Sequence, residues 1–332
     1  MSYKALDCGT GNFVCIDTEG TRIQRNAFLT IDKEVTTTKN LKRMGVPFVE
    51  INGKIYIVGV KAYEYSQVFG TQDLRRPMQS GVLNPTEQAA LPVLRLIIGG
   101  LLKDSKKAED DSKENVVYCI PARPIDTERE IDYHEDILGQ IINSFGYESR
   151  AINEGVALGL AGLETDNLTG IAISLGSGMC NVAIMFKGIS SLQFSVSQAG
   201  DWIDKNVSRD CGIPVAKAQF IKESGDYTID PKSTVERTRE QNAIKSYYEA
   251  LIRYILANIS AQFESKEMPN FPTAVPIVLG GGTSMVNGFL EVFKTQFTQK
   301  GFPLNISEIR LVDEPLTAVA RGCYIEAKLE EE

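Results

Sequence analysis

Short apolar runs broken by glycine turns open the chain. Tyr3-Lys4-Ala5-Leu6-Asp7, Asn12-Phe13-Val14-Cys15-Ile16-Asp17 and the stretch 21–31 are β-rich and punctuated by glycine, which predicts a β-meander. Two further runs, Pro47-Phe48-Val49-Glu50-Ile51 and Ile55-Tyr56-Ile57-Val58, flank Asn52-Gly53, a strong hairpin signal. The period then changes. Across 85–102, Ala89, Ala90, Val93, Leu94, Ile97 and Ile98 recur at helical spacing, with Thr86 as the expected cap. The charged run 104–115 ends that helix; it reads as a solvated loop rather than a partner-binding tail, because it lies between two ordered-looking elements. Asn115-Val116-Val117-Tyr118-Cys119-Ile120-Pro121 has the continuous apolar pattern of a buried strand, and 127–145 that of a helix.

The second half restates the first. Ile171-Ala172-Ile173-Ser174-Leu175 runs into Gly176-Ser177-Gly178, and strand-like stretches follow at 181–186 and 189–196. One strand, glycine turn and strand arrangement thus occurs twice, which implies two related lobes. The segment 233–263 carries Ala243, Tyr247, Leu251, Tyr254, Ile255 and Ile259 on one helical stripe, more often core than partner groove. Val275 to Leu279 is a buried strand leading into Gly280-Gly281-Gly282-Thr283-Ser284, with a helix expected from Val286.

Composition narrows the class. With 332 residues, 43% apolar and 23% charged, the chain is an ordinary globular one, long enough for two domains or one two-lobed unit. A formal net charge of −8 without any dense Lys/Arg run argues against nucleic acid. Cys8, Cys15, Cys119, Cys180, Cys211 and Cys323 are scattered, without zinc-ligand spacing, so buried free thiols in a reducing cytosol are expected. No signal-peptide pattern opens the sequence. The most apolar stretch, 91–102, carries Arg95 and falls short of the roughly 20 residues that span a bilayer. A cytoplasmic protein is expected. His134 stands alone in a polar-looking helix, which argues against histidine-based catalysis.

Three glycine-rich turns carry the candidate chemistry. In Asp7-Cys8-Gly9-Thr10-Gly11-Asn12, glycines permit the backbone to bring its N–H groups to an anion, and Asp7 could hold a hydrated Mg²⁺. Taken alone this is also an ordinary Asp-Gly hairpin. Gly176-Ser177-Gly178 offers the same permissive backbone, and Gly280-Gly281-Gly282 could let a base or ribose lie against bare backbone or simply enter a helix. Neither a P-loop nor a Rossmann fingerprint occurs.

The ordered set resembles the actin superfamily, most closely the bacterial actins of the MreB and MamK type. Residues 7–12 resemble its phosphate-1 motif, 174–181 its phosphate-2 motif and 277–288 its adenosine motif. Arg76-Pro77 with Gly81-Val82, Glu154 with Ala157 and Gly159, Ala199-Gly200-Asp201 with Asp204, and Pro315-Leu316-Thr317-Ala318-Val319-Ala320-Arg321-Gly322 resemble its connecting segments, so the likeness runs from residue 7 to residue 322. It implies an α/β actin-like ATPase fold of two duplicated ribonuclease-H-like lobes around a nucleotide cleft. The expected division is a first core of 1–31, 75–151 and 319–332 with a small subdomain 32–74. The second core is 152–185 and 268–318, with a subdomain 186–267.

By the same resemblance Asp7 organises Mg²⁺, while Gly9, Thr10, Gly11 and Asn12 meet the β- and γ-phosphates of ATP or ADP together with Gly176, Ser177 and Gly178. Glu154 orients the attacking water, a positioning role that phosphoryl transfer demands, although a glutamate at a helix start also has a plain electrostatic reading. Gly280, Gly281, Gly282 and Thr283 line the adenosine pocket, flanked by Gln219 and Lys222. One departure stands out: Ser174 takes the place of the aspartate that opens the phosphate-2 motif, offering the metal a hydroxyl without charge. The expected function is an ATPase forming nucleotide-dependent cytoskeletal filaments of itself, with slow hydrolysis, no nucleic acid and no direct membrane anchor. The alternative is a non-polymerising adaptor that binds ATP and recruits a partner.

Overall fold

The computed structural model describes residues 3–69, 74–103, 114–265 and 268–329, so most of the charged run 104–115 lies outside the described residues. The chain opens with β1 (Tyr3–Cys8), β2 (Asn12–Asp17), β3 (Gly20–Arg25) and β4 (Phe28–Asp32). Then come α1 (Val35–Arg43), β5 (Phe48–Ile51), β6 (Lys54–Val58), α2 (Val60–Phe69) and the two-residue strands β7 (Leu74–Arg75), β8 (Met78–Gln79) and β9 (Val82–Leu83). The first half closes with α3 (Ala90–Leu102), β10 (Asn115–Ile120), α4 (Ile131–Asn143), β11 (Glu148–Asn153) and α5 (Glu154–Gly162). The second half holds β12 (Gly170–Leu175), β13 (Cys180–Phe186), β14 (Ile189–Val196), α6 (Gly200–Cys211), α7 (Val215–Glu223) and α8 (Arg239–Ser265). It ends with β15 (Val275–Gly280), α9 (Phe289–Gln296), β16 (Ile306–Leu311) and α10 (Ala318–Leu329).

One topology is used twice. β3-β2-β1-β10-β11 form a five-stranded sheet in which the meander is antiparallel and β1, β10 and β11 run parallel. β14-β13-β12-β15-β16 repeat that order and those directions. The inner strands of each sheet bury both faces, as their nearly unbroken apolar runs require, while the edge strands β3, β11 and β16 stay largely accessible. Between the sheets lie α5 and α10, whose Ala157, Leu158, Val319 and Cys323 pack with Ala5 and Val117 of one sheet and Ala172, Ala183 and Val278 of the other. Outside, α3 and α4 cover the first sheet, and α6, α8 and α9 the second. A separate sheet, β5-β6-β4-β7, stands on the first half, with Asn52 (φ 49°) and Gly53 (φ 75°) making the hairpin turn their sequence predicts.

Four helices start later than their periodicity implies. α3 begins at Ala90, because Asn84 Oδ1 accepts from both the amide (3.2 Å) and the hydroxyl (2.8 Å) of Thr86, making Thr86 a turn residue rather than a cap. α4 begins at Ile131 rather than 127, and α9 at Phe289, after Gly288 at φ 83°. α8 begins at Arg239, not 233, because Arg237 donates backward to the carbonyls of Thr228 (2.5 Å) and Asp230 (2.7 Å) and ties the preceding segment down. His134 also corrects the sequence reading: its helix is amphipathic, and its ring lies on the fully buried side.

Candidate functional site

The turn at 9–11 joins β1 to β2, the turn at 176–179 joins β12 to β13, and the two meet. A Cβ on Gly11 would sit 3.3 Å from Ser177 Cβ, and one on Gly178 would sit 3.0 Å from Thr10 Cβ, each with still closer polar neighbours. Only glycine allows such an approach. Thr10 Oγ1 accepts from the Gly81 amide at 3.0 Å, which brings in the turn between β8 and β9 as a third wall. From behind, Asn26 holds the first turn: its side-chain amide donates to Gly9 O at 3.1 Å and its backbone amide to Gly11 O at 3.1 Å.

The turns enclose a cavity of about 50 Å³ lined by Asp7, Gly9, Thr10, Gly11, Asn12, Glu154, Ser174, Gly176, Ser177, Gly178, Gly281 and Gly282. It continues into a space of about 480 Å³, sharing Asn12, Ser177, Gly282 and Leu316 with it. Lys222, Glu223, Tyr248 and Thr283 line that wider part together with the apolar Ile23, Val60, Met285 and Val286. A small-ligand site runs about 300–1,000 Å³, so the wider part has room for a nucleoside-sized group beside a narrow polar end. Thr283 ties the parts together: its hydroxyl donates to Gly176 O at 2.8 Å, and its carbonyl accepts from the Tyr248 hydroxyl at 2.8 Å. Gly281, at φ 88°, lies so close to the Leu175 backbone that no side chain fits there.

Two sequence candidates fall outside these cavities. Gly280 ends β15 opposite Ser174, where a Cβ would meet Leu158 Cδ1 at 2.6 Å, so packing accounts for it. Gln219 accepts from the Arg76 guanidinium (3.2 Å) and donates to Glu223 (2.9 Å). Lys222 does line the wider space, but its ammonium already donates to Asp204 Oδ2 (2.8 Å) and Gly200 O (3.0 Å). Burial pushes the Asp204 carboxyl up to about 6 even against that partner. Glu223, the neighbour of Lys222, was missed in the sequence, as were Arg25, Asn26 and Tyr248, while Gly81 was singled out there only as part of a connecting segment.

Asp7 and Glu154 set the electrostatics. Both are partly buried and line the cavity. Burial raises the carboxyl of each above its ordinary range, and the charge on Asp7 raises Glu154 further. Two such groups resist carrying two negative charges at once. Among the described residues neither has a Lys or Arg partner; Asp7 accepts from the Cys119 thiol at 3.1 Å and Glu154 from the Asn181 amide at 2.8 Å. Asn181 is itself held, its Oδ1 accepting from the Ala122 amide at 2.8 Å. Glu154 is the first residue of α5, where Asn153 Oδ1 accepts from the amides of Gly155 and Val156, so its helix-start and cavity roles coincide. Two uncompensated carboxylates beside the Ser174 and Ser177 hydroxyls form an all-oxygen donor set that fits Mg²⁺, a cation that takes few protein ligands and keeps its waters. Ion pairs cross the mouth from one half of the chain to the other: Arg25 to Glu223 at 2.6 Å and Arg76 to Asp201 at 2.8 Å.

Known proteins share this architecture. The actin-like protein MamK of Magnetospirillum gryphiswaldense is 22% identical over 344 aligned residues, covering 96% of this chain and 87% of its own. The MamK double helical filament superposes with a TM-score of 0.74 at 20% identity, covering 100% of this chain and 99% of that one. MreB5 of Spiroplasma citri bound to ADP gives a TM-score of 0.66 at 15% identity, covering 99% and 97%. These likenesses establish the actin fold. A family profile described as Volactin matches residues 1–327, and the chain accordingly belongs to the Volactin family of actin-fold proteins.

Proposed function

We propose that the protein binds ATP with Mg²⁺ between its two lobes, hydrolyses it slowly, and assembles with copies of itself into cytoplasmic, cytoskeletal filaments. The observation that carries the nucleotide reading is the meeting of two glycine turns over a cavity whose charged lining, among the described residues, is two carboxylates without a Lys or Arg partner. Turn amides at 9–12 and 176–178 would receive the phosphates, and Glu223 with the apolar wall of Ile23, Val60 and Met285 would receive the nucleoside. A bound magnesium ion supplies positive charge to the phosphates and to the Asp7–Glu154 pair. Glu154, held by Asn181, would orient a water, and Asp7 would hold the hydrated metal. Ser174 brings no third charge, which supports slow turnover. Polymerisation rests on kinship with MamK, whose filament has been solved, and on the closing of the cleft as the step that would shape a subunit for head-to-tail stacking. The lobe and subdomain limits given above belong to the same proposal. Among the described residues no helix is long and apolar enough to cross a membrane.

Sedimentation and negative-stain microscopy test this reading: ATP with Mg²⁺ is expected to give pelletable filaments, and EDTA to abolish them. Ser174 also favours a second reading, a nucleotide-binding adaptor that stays monomeric. Monomers that bind ATP but never pellet would select it, and no ATP affinity would end both.

A further inference from the structure

A sulfur lies directly behind the carboxylate that faces the phosphate cavity. β1 and β10 run side by side in parallel, with Leu6 paired to Tyr118, so Asp7 and Cys119 occupy neighbouring positions just beyond that pair. Cys119 is wholly buried. Its Sγ accepts from the Cys8 amide at 3.4 Å and lies 3.1 Å from Asp7 Oδ1. With amide density behind it, the Cys119 proton has Asp7 Oδ1 in front of it. A thiol is largely protonated near neutral pH, so Cys119 is available as a donor. The other carboxylate oxygen, Oδ2, has no hydrogen-bond partner among the described residues.

We infer that Cys119 is a positioning residue for magnesium: its thiol donates to Asp7 Oδ1 and so fixes the carboxylate with Oδ2 turned to the cavity, where the hydrated ion would sit. The inference rests on the nucleotide reading above. A valine there would fill the volume without donating, and an alanine would let the carboxylate turn. Hydrogen-bonded partners behind a metal site cost about 10–100-fold in metal affinity when removed. A thiol is a weak donor, so the low end applies. The proton stays on sulfur throughout.

The test separates metal from nucleotide. ATP affinity is measured in EDTA and across a Mg²⁺ titration for wild type, Cys119→Ala, Cys119→Val and Cys119→Ser. Cys119→Ala and Cys119→Val are expected to need about tenfold more Mg²⁺ with metal-free ATP affinity unchanged, whereas Cys119→Ser, which keeps a donor, stays within about threefold of wild type. Equal magnesium dependence in all four proteins overturns the proposal. So does a serine variant as impaired as alanine, or a parallel loss of metal-free binding, since these report packing alone. Should neither apolar variant fold, the infrared difference between wild type and Cys119→Ser isolates the Cys119 S–H stretch. A band at the hydrogen-bonded end that moves on adding MgATP supports the donor role, and a free-thiol band refutes it. Wild type without ATP affinity would sink the nucleotide reading and this assignment with it, while the band would still report whether the hydrogen bond exists.

Discussion

Ser174 faces the same cavity as Asp7 and Glu154 with a hydroxyl instead of a charge. A carboxylate placed there would be the third in a buried site with no cation of its own. Ser174→Asp is therefore expected to lower the stability of nucleotide-free protein by about 1–3 kcal/mol, with MgATP restoring it. It should also raise the single-turnover hydrolysis rate; an unchanged or lower rate would show that the missing charge is supplied elsewhere or is irrelevant. His134 presents the opposite case. Neither ring nitrogen has a partner among the described residues, and burial pushes its pKa down to about 4 from 6.5. Unfolded chains take up the proton near 6.5 and the folded one only near 4, so the unfolded state binds more protons between those values. Stability from this residue accordingly falls as pH drops through that window and levels off below it. His134→Leu should flatten the urea-unfolding profile between pH 6.5 and 4 by up to about 1.4 kcal/mol per pH unit. Parallel profiles would mean that the folded ring is solvated.

Neighbouring glycines in α3 behave differently because of what each faces. A Cβ on Gly99 would strike the Phe145 ring at 2.6 Å, while one on Gly100 meets nothing within 4 Å. Gly100→Ala should stabilise the protein by about 0.5–1 kcal/mol through helix propensity alone, and Gly99→Ala should destabilise it; thermal melts showing the same sign for both would refute this packing. At the turns, Gly178→Ala should cost about 1–3 kcal/mol and lower ATP affinity at least tenfold, as read by unfolding and by nucleotide titration. Elements of this kind were legible in the sequence to different degrees. The β1–β3 meander, the Asn52-Gly53 hairpin and the repeated strand, turn and strand unit are local patterns, and local patterns survive folding. Helix starts were misplaced because side-chain bonds just ahead of the helix, which periodicity does not register, decide them, as Arg237 does by reaching back to Thr228 and Asp230. The same holds for the site: its glycine turns announce themselves, whereas Asn26 and Glu223 carry no motif of their own, and the parts Gly81 and Asn181 play within quoted motifs appear only in the fold.

At the scale of the molecule, two ion pairs, the exposed Arg25–Glu223 and the partly buried Arg76–Asp201, tie the halves across the cleft mouth. Cutting one should loosen the grip on whatever lies inside. Arg76→Ala is expected to speed nucleotide release several-fold, in a manner that wild type reproduces as salt is raised; stopped-flow displacement of a fluorescent analogue reads both, and salt-independent release in wild type would discount the pairs. The halves are also joined far from the mouth, where α5 and α10 cross so closely that a Cβ on Gly322 would come within 2.8 Å of Ala157 Cα. Backbones in contact cannot slide without breaking their packing, but they can swing. A lobe motion pivoting on that crossing would move Glu154, one helical turn from Ala157 on α5, less than the rim at Arg25 and Glu223. On the proposed function, the cleft could then admit or release a nucleotide at its rim while the geometry around Glu154 changed little.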